Sequence, residues 1–413
     1  MDLHCLGGSQ EVGKSCFLLD TGELRIVMDC GMKVHDHNEG PVIPGKVDVG
    51  IITHAHLDHS GCAPLLYKRN APKTFCTYPT RPIMDLLLAD SEKIARAENK
   101  QLPYASQNVK QLDKHLACLG YDEDYEFKDG SNFRFLDAGH VPGSAQILFK
   151  KGKRKVLYTG DFNTGYTRLH HPAKPVKADV LIIESTYAQR DHEPRKDVEK
   201  AFAREVEKAL GDGLTVLVPA FAVGRTQEVL EVLRAHTKAP VFVNGMGKKV
   251  CDIIMDYPSY IKSPENFAET MRNVTIIQGK SDEKKAFREP SVIVSTAGML
   301  DGGPMLSYLD KCNQKNSAVV LLTGYQVEGT NGYSLVNEGR VRSEGIEKVI
   351  QLPVKHFDFS AHSGRIELFN YVDAVNPEKV VCVHGDACKD FAEELKNEGY
   401  DAFAPAVGDK IKL

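Results

Sequence analysis

The sequence predicts an α/β protein of stacked sheets and helices, and three observations carry that reading. Short runs rich in Val, Ile and Leu recur from one end of the chain to the other. They are bounded by Gly, Asp, Asn or Pro, residues that end strands. Amphipathic helical stretches lie between several of them, and strands alternating with helices indicate α/β layers. In chain order the strand-like runs are 24–28, 47–53, 133–136, 155–159, 180–183, 215–218, 241–243, 274–277, 292–295, 319–322 and 380–383. The helical stretches are 196–210, 225–236 and 389–397, the last two stopping near Lys, His or Gly as helices often do. No solenoid repeat, low-complexity tract or Pro/Gly/Ser linker divides the chain, so a domain boundary has to come from the chemistry.

At 413 residues the chain is long for one core and comfortable for two. No window approaches the apolar run of a membrane helix, and the start Met1-Asp2-Leu3-His4-Cys5 lacks the basic region of a signal peptide. The expected location is the cytoplasm. The 10 cysteines are scattered singly without a Cys-x-x-Cys pair, which reads as reduced, buried thiols. A net charge of -4 argues against coating nucleic acid by bulk charge. It leaves room for a nuclease in which metal ions supply positive charge locally.

The chemistry concentrates after the run Val49-Gly50-Ile51-Ile52-Thr53, in His54-Ala55-His56-Leu57-Asp58-His59. Four metal-capable side chains occupy six positions just past a strand end, in what reads as an extended turn without a helix to spread them. Imidazole plus carboxylate suits zinc, and thiolate is not required. Residues of the right type recur at other strand ends: Asp29, His140, Asp161, Glu184 and His384. The carboxyl edge of buried strands is where α/β proteins place their sites. A workable assignment gives one Zn2+ to His54, His56, His140 and Asp161, and a second Zn2+ to Asp58, His59, Asp161 and His384. Asp161 bridges the two, and Asp29 orients a ligand from the second shell. Two such ions poise a hydroxide for in-line attack and stabilise the attacking and leaving oxygens.

The His-x-His-x-Asp-His motif, with Asp29, His140 and Asp161 in that order, resembles the metallo-β-lactamase superfamily, whose members hydrolyse lactams, thioesters and phosphodiesters. Ile183-Glu184-Ser185-Thr186-Tyr187, Phe359-Ser360-Ala361-His362-Ser363 and Val383-His384-Gly385-Asp386 resemble motifs A, B and C of its β-CASP nucleases. The resemblance implies an αββα sandwich with an inserted α/β, Rossmann-like cap that closes over the metals. The expected division is 1–190 for the first part of the core, 191–355 for the β-CASP domain, and 356–413 for the return to the core. It places Glu184 and His362 beside the scissile phosphate and makes them, with Asp58, the candidate catalytic residues. A His held by a carboxylate is a credible general acid.

Three segments of the insertion resemble family stretches along an RNA path: 220–227, 297–304 and 324–332. They contribute Arg225, Gly298, Gly329 and Thr330 as candidate RNA contacts, with Ser360 from the second motif. Exposed amides at such turns can cradle phosphates, and glycine allows close approach. His35, His37, His170 and His171 read as surface residues, and the basic clusters at 150–155 and 284–288 as solvated faces.

A histidine in the third motif goes with the RNA-processing branch, so His384 points to RNA. The Phe359-Ser360-Ala361-His362 stretch, with the opening 6–15, is similar to archaeal homologues of the cleavage and polyadenylation specificity factor, here without KH domains. The expected function is a zinc-dependent ribonuclease acting on single-stranded RNA, mainly as an endonuclease, in RNA processing or 3′-end formation and decay. The alternatives are a 5′-3′ exoribonuclease of ribonuclease J type, a non-nucleolytic metallo-hydrolase such as a thioesterase, and a non-catalytic RNA-binding subunit. The archaeal resemblance also suggests a homodimer through the C-terminal region.

Overall fold

The computed structural model describes residues 1–33, 38–343 and 345–413. His35 and His37 lie outside the described residues. Chain contacts divide the protein into two units. One comprises Met1–Gly165, Pro172–Asp191 and His362–Leu413; the other comprises Tyr166–His171 and His192–Ala361.

The first unit is a sandwich of two seven-stranded sheets. One runs in the order Lys410–Lys412, Asp2–Gly7, Cys16–Asp20, Arg25–Met28, Val49–Ile51, Lys73–Thr77, Leu116–Leu119. It is antiparallel up to Arg25–Met28 and parallel from there on. The other runs in the order Asp401–Phe403, Lys379–Val383, Val180–Glu184, Arg154–Tyr158, Ala145–Lys151, Asn132–Asp137, Asp124–Glu126. Alternation along the strands explains the layering. Phe17, Ile26, Ile51 and Phe75 meet Phe133, Ile147, Tyr158 and Val381 between the sheets. Leu157, Leu181, Ile183 and Cys382 point the other way and pack under Leu368, Val372, Phe391 and Leu395 of the helices Arg365–Val375 and Cys388–Asn397. The strands therefore read as continuous apolar runs, because both faces are covered.

The second unit has a six-stranded, all-parallel sheet, in the order Val274–Ile276, Val241–Asn244, Val292–Ser295, Thr215–Pro219, Ala318–Leu322, Val354–His356. Numbered along the unit this is 3-2-4-1-5-6, which exchanges two central strands of the doubly wound 3-2-1-4-5-6 order. Helices such as Arg195–Gly211, Arg225–His236 and Gly303–Asn313 connect the strands. Val354–His356 is a strand of this sheet, so the chain leaves the second unit after Ala361, not before His356 as the sequence boundary had it. Tyr166–His171 joins this unit through Glu228, whose carboxylate accepts from the Arg168 and Leu169 amides at 3.0 and 2.9 Å.

All the strand-like runs are strands, with ends shifted by a residue or two, and the three helical stretches are helices. The longest helix, Thr80–Ala97, was not among them. Its buried residues Ile83, Met84, Leu88, Ser91 and Ala95 keep helical spacing, and Pro82 sits in the first turns, where its missing N–H costs little. His170 is buried rather than on the surface, whereas His171 is exposed. The basic stretch 150–155 is a hairpin turn whose Lys151 and Arg154 are paired with Glu23 and Glu378. Among the described residues, no helix is long and apolar enough to cross a membrane.

Candidate metal centre and active site

Every sequence-assigned ligand lies in the first unit, at one end of the sandwich strands. His54 and His56 follow Val49–Ile51. Asp58 and His59 sit on a short helix, Leu57–Ser60, which corrects the expectation of an extended turn. His59 is buried and Asp58 partly exposed, and the Asp58 carbonyl is held by the Ser15 amide at 2.8 Å. His140 is carried by the turn after Asn132–Asp137, closed by Ser144, whose hydroxyl accepts from the His140 and Val141 amides at 3.1 Å each. Asp161 follows Arg154–Tyr158. Glu184 ends one strand and His384 follows its parallel neighbour.

These positions converge into two four-residue groups, His54/His56/His140/Asp161 and Asp58/His59/Asp161/His384, each with its ligand atoms within 4.8 Å of one another. Asp161 belongs to both. Its Oδ2 lies 3.7 Å from Nε2 of His54 and of His140. Its Oδ1 lies 3.1 Å from His59 Nε2 and 3.5 Å from His384 Nε2. In the first group the ring nitrogens of His54 and His140 each stand 3.2 Å from His56 Nδ1. In the second, Asp58 Oδ2 lies 3.7 Å from His384 and 3.9 Å from His59.

The donors fit metal ions. Ligands at about 2.0–2.1 Å from one tetrahedral zinc stand about 3.3 Å apart, the spacing of the imidazole nitrogens here. His59 Nε2 and Asp161 Oδ1 are buried and face each other at 3.1 Å, and neither has another hydrogen-bond partner among the described residues. A buried polar atom left in that state is costly unless something else satisfies it. The donor set, imidazole and carboxylate without thiolate, suits zinc.

The protonation states follow from the crowding. Burial, then the neighbouring His59, holds His54 well below the ordinary imidazole value. Burial also lowers His56. Burial opposes charge on His59, but Asp161, Asp29 and Asp58 outweigh it and hold it well above the ordinary value. Burial would raise Asp161, but His59 and His384 hold it well below the usual carboxylate range.

Supporting residues orient the ligands. Asp29 Oδ2 lies 2.7 Å from His59 Nδ1 and accepts from the hydroxyls of Thr53 and Tyr158 at 2.8 Å each, while Oδ1 accepts from the Thr53 amide at 2.7 Å. Thr53 Oγ1 is 3.1 Å from His54 Nδ1, and Ser15 Oγ is 2.7 Å from His384 Nδ1. Sequence reasoning missed Ser15, Thr53 and Tyr158. Ser15 lies in the opening stretch 6–15 that carried the archaeal resemblance, but nothing in its spacing tied it to His384, 369 positions away.

Glu184 and His362 form a third group with Asp161. His362 Nδ1 lies 2.9 and 3.1 Å from the two carboxylate oxygens of Glu184, and its ring centroid is 4.5 Å from that of His140. The Phe162 amide donates to Glu184 at 2.9 Å, and the Thr186 hydroxyl also donates to it. Ser363 pins the loop, its amide donating to the Phe162 carbonyl at 3.0 Å. Burial lowers His362, but Glu184 more than reverses this and raises it to about 9.

The other candidates lie in the second unit, and several have structural tasks. Thr330 caps the helix Asn331–Glu338 by accepting from the Tyr333 amide, and its hydroxyl donates to Val327 at 2.6 Å. Gly298 lies so close to Phe221 that a Cβ would stand 2.9 Å from its backbone nitrogen. Arg225 donates to the Thr323 carbonyl, and the Ser360 carbonyl accepts from Arg195 at 2.9 Å. Gly329 has φ +84° and open space where a side chain would be, as a backbone contact to a ligand requires.

A β-sandwich flanked by helices, with His and Asp ligands at one end and a parallel α/β unit inserted, defines a metallo-β-lactamase-type hydrolase. The chain belongs to the metallo-β-lactamase superfamily and to its β-CASP ribonuclease branch. The superfamily model matches residues 10–220, the Beta-Casp domain residues 226–335, and the Zn-dependent metallo-hydrolase RNA specificity domain residues 348–405. The chain is 36% identical to a probable RNase, MJ4, of Methanocaldococcus jannaschii, covering 100% of both chains. It is 34% identical to RNase aCSPSF2 of Saccharolobus solfataricus, covering 100% of this chain and 85% of that one. It is 34% identical to transcription termination factor FttA of Methanosarcina mazei, covering 94% of this chain and 68% of that one. A crystal structure of a protein of unknown function from Enterococcus faecalis shares the fold, with a TM-score of 0.64 at 12% identity over 100% of this chain and 99% of that one.

Proposed function

We propose that the chain is a two-zinc ribonuclease that hydrolyses phosphodiester bonds in single-stranded RNA, mainly as an endonuclease. The observation that carries this reading is the two-sided Asp161, with one oxygen toward His54 and His140 and the other toward His59 and His384, beside the Glu184–His362 pair. Family membership and relatives named as ribonucleases support RNA as the substrate.

In this reading His54, His56, His140 and Asp161 hold one Zn2+, and Asp58, His59, Asp161 and His384 the other. When bound, the ions supply Lewis acidity to the phosphate oxygens and activate water at neutral pH. The protein residues do the rest. Asp29, Thr53 and Ser15 orient the imidazoles. Glu184 engages His362 Nδ1, so Nε2 is the nitrogen that presents a proton to the leaving oxygen. No 2′-hydroxyl nucleophile is needed, so the products carry a 5′-phosphate and a 3′-hydroxyl. The second unit, His192–Ala361, acts as the β-CASP domain, with Arg225, Ser360 and Gly329 as RNA contacts. A cytoplasmic location and a homodimer through the C-terminal region belong to the same reading, the first supported by ten free thiols.

The test is cleavage of end-labelled single-stranded RNA by the zinc-loaded protein, comparing 5′-triphosphate with 5′-monophosphate ends. Internal fragments from both support the endonuclease. Mononucleotides from the monophosphate substrate alone would replace it with a 5′-3′ exonuclease, a reading that the 35% identity to an RNase J-like protein of Methanocaldococcus jannaschii keeps in view. Asp161→Ala should lose nearly all cutting, and wild-type rates in that variant would overturn the bridging assignment.

A further inference from the structure

Two of the ten thiols sit side by side on neighbouring strands. Cys76 on Lys73–Thr77 and Cys118 on Leu116–Leu119 are in-register partners on neighbouring parallel strands. Phe75, Ala117 and Leu119 point into the core between the sheets, so by strand alternation both thiols stand on the opposite face. Each thiol shifts the acidity of the other. Neighbouring strands run about 4.8 Å apart. That separation lies inside the Cα window of roughly 4.4–6.8 Å for a disulfide.

Access is uneven in a useful way. Leu116–Leu119 is the terminal strand of its sheet, and Cys118 is half-buried while the other nine cysteines are buried. Arg81, on the helix Thr80–Ala97, lies beside Cys118 and is anchored by the Leu116 carbonyl at 3.4 Å and the Asp113 carboxylate at 2.7 Å. Cys76 beside it lowers Cys118 to about 7 against the effect of burial, and Arg81 helps; Asp85 works weakly the other way. Burial holds Cys76 well above the ordinary thiol value. Cys118 is thus set up as the attacking thiolate and Cys76 as the resolving thiol.

We propose that Cys76 and Cys118 form an oxidation site that takes a hydroperoxide and closes a reversible disulfide. The Cys118 thiolate attacks a peroxide oxygen, the O–O bond breaks, and hydroxide leaves as Cys118 becomes a sulfenic acid. The Cys76 sulfur then attacks the Cys118 sulfur, the S–O bond breaks, and the departing oxygen takes the Cys76 proton as water. Two thiols lose two electrons and one hydrogen peroxide becomes two waters.

The test uses the full-length, metal-loaded protein treated with one equivalent of hydrogen peroxide, then denatured, alkylated and digested with trypsin. The peptides 74–93 and 115–128 each hold a single cysteine, so a linked pair is unambiguous. The expected result is loss of two alkylatable thiols, appearance of the 74–93/115–128 pair, and its disappearance with dithiothreitol. Iodoacetamide at pH 7 should label Cys118 about tenfold faster than any other cysteine. In Cys76→Ser, dimedone should trap a sulfenic acid at Cys118. Ten thiols remaining, a different cysteine oxidised first, or no dimedone adduct in Cys76→Ser would each overturn the proposal. The wild-type peptide map decides the matter even if the variant folds poorly.

Discussion

His59 Nδ1 and Asp29 Oδ2 lie 2.7 Å apart, both fully buried, and the contact turns His59 Nε2 toward Asp161. Asp29 also holds Thr53 and Tyr158, so it fixes a ligand ring and the strand end that delivers His54. Asp29→Asn keeps the shape but removes the charge that supports the ring. Zinc affinity should fall about 10–100-fold, measured by competition with a chelating dye, and activity should recover at saturating zinc. An unchanged affinity would remove Asp29 from the site's support.

In the metal-free protein His362 should carry its proton well past neutrality, because Glu184 outweighs burial and raises it to about 9. A histidine raised in this way contributes stability in full below its ordinary value of 6.5, and loses it as pH rises through about 9. Glu184→Gln removes the largest upward influence. The titration of the His362 Cε1 proton, followed by NMR, should move from near 9 toward 6.5. In the zinc-loaded enzyme the alkaline limb of the rate profile should move acidward, with kcat lower by about 10²–10⁴-fold. An unshifted titration would separate the two residues.

The convergence of the candidate ligands was legible in the sequence because they follow buried strands, and a strand is the easiest element to read from apolar runs. Asp161 and His384 are 223 positions apart, yet both could be named from strand ends alone. The supporting shell was not legible. Ser15, Thr53 and Tyr158 are ordinary residue types whose task exists only once distant strands are paired. Strand Ala145–Lys151 escaped because its charged end reads as a solvated stretch, though it pairs with Arg154–Tyr158 across a tight turn. His170 was misplaced for a related reason. Two histidines before a proline look exposed, but one is drawn into the second unit by the contacts that tie Arg168 and Leu169 to Glu228.

The burial of His170 predicts acid sensitivity. Burial, with His171 adding to it, pushes His170 down to about 3. The unfolded chain then binds a proton near 6.5 that the folded chain refuses, so stability falls as pH drops from about 6.5 toward 3. Between pH 7 and pH 5 the penalty reaches about 2 kcal/mol at most. Metal-free His170→Leu should show a flatter dependence of the urea midpoint over that range than metal-free wild type. Parallel curves would mean that the ring is protonated in the folded state.

His384 holds its place by an unusual backbone. It has φ +50°, a left-handed conformation that side chains bearing a Cβ adopt at a cost of about 1–2 kcal/mol. Its amide donates to the Gly8 carbonyl at 2.7 Å, and at the next residue a Cβ on Gly385 would stand 2.3 Å from the Ser185 carbonyl oxygen, so the turn has no room to relax. The turn leaves the imidazole ring 3.5 Å from Asp161, so in the proposed site stability and function oppose each other at one position. His384→Ala and His384→Gly should both abolish cleavage, since each removes the same ligand. The glycine variant should nevertheless be the more stable of the two by about 1 kcal/mol in the metal-free protein, because glycine accepts the left-handed turn without a Cβ clash. Denaturant melts of the two variants decide it: an alanine variant as stable as the glycine one would mean that the backbone relaxes once the imidazole is gone.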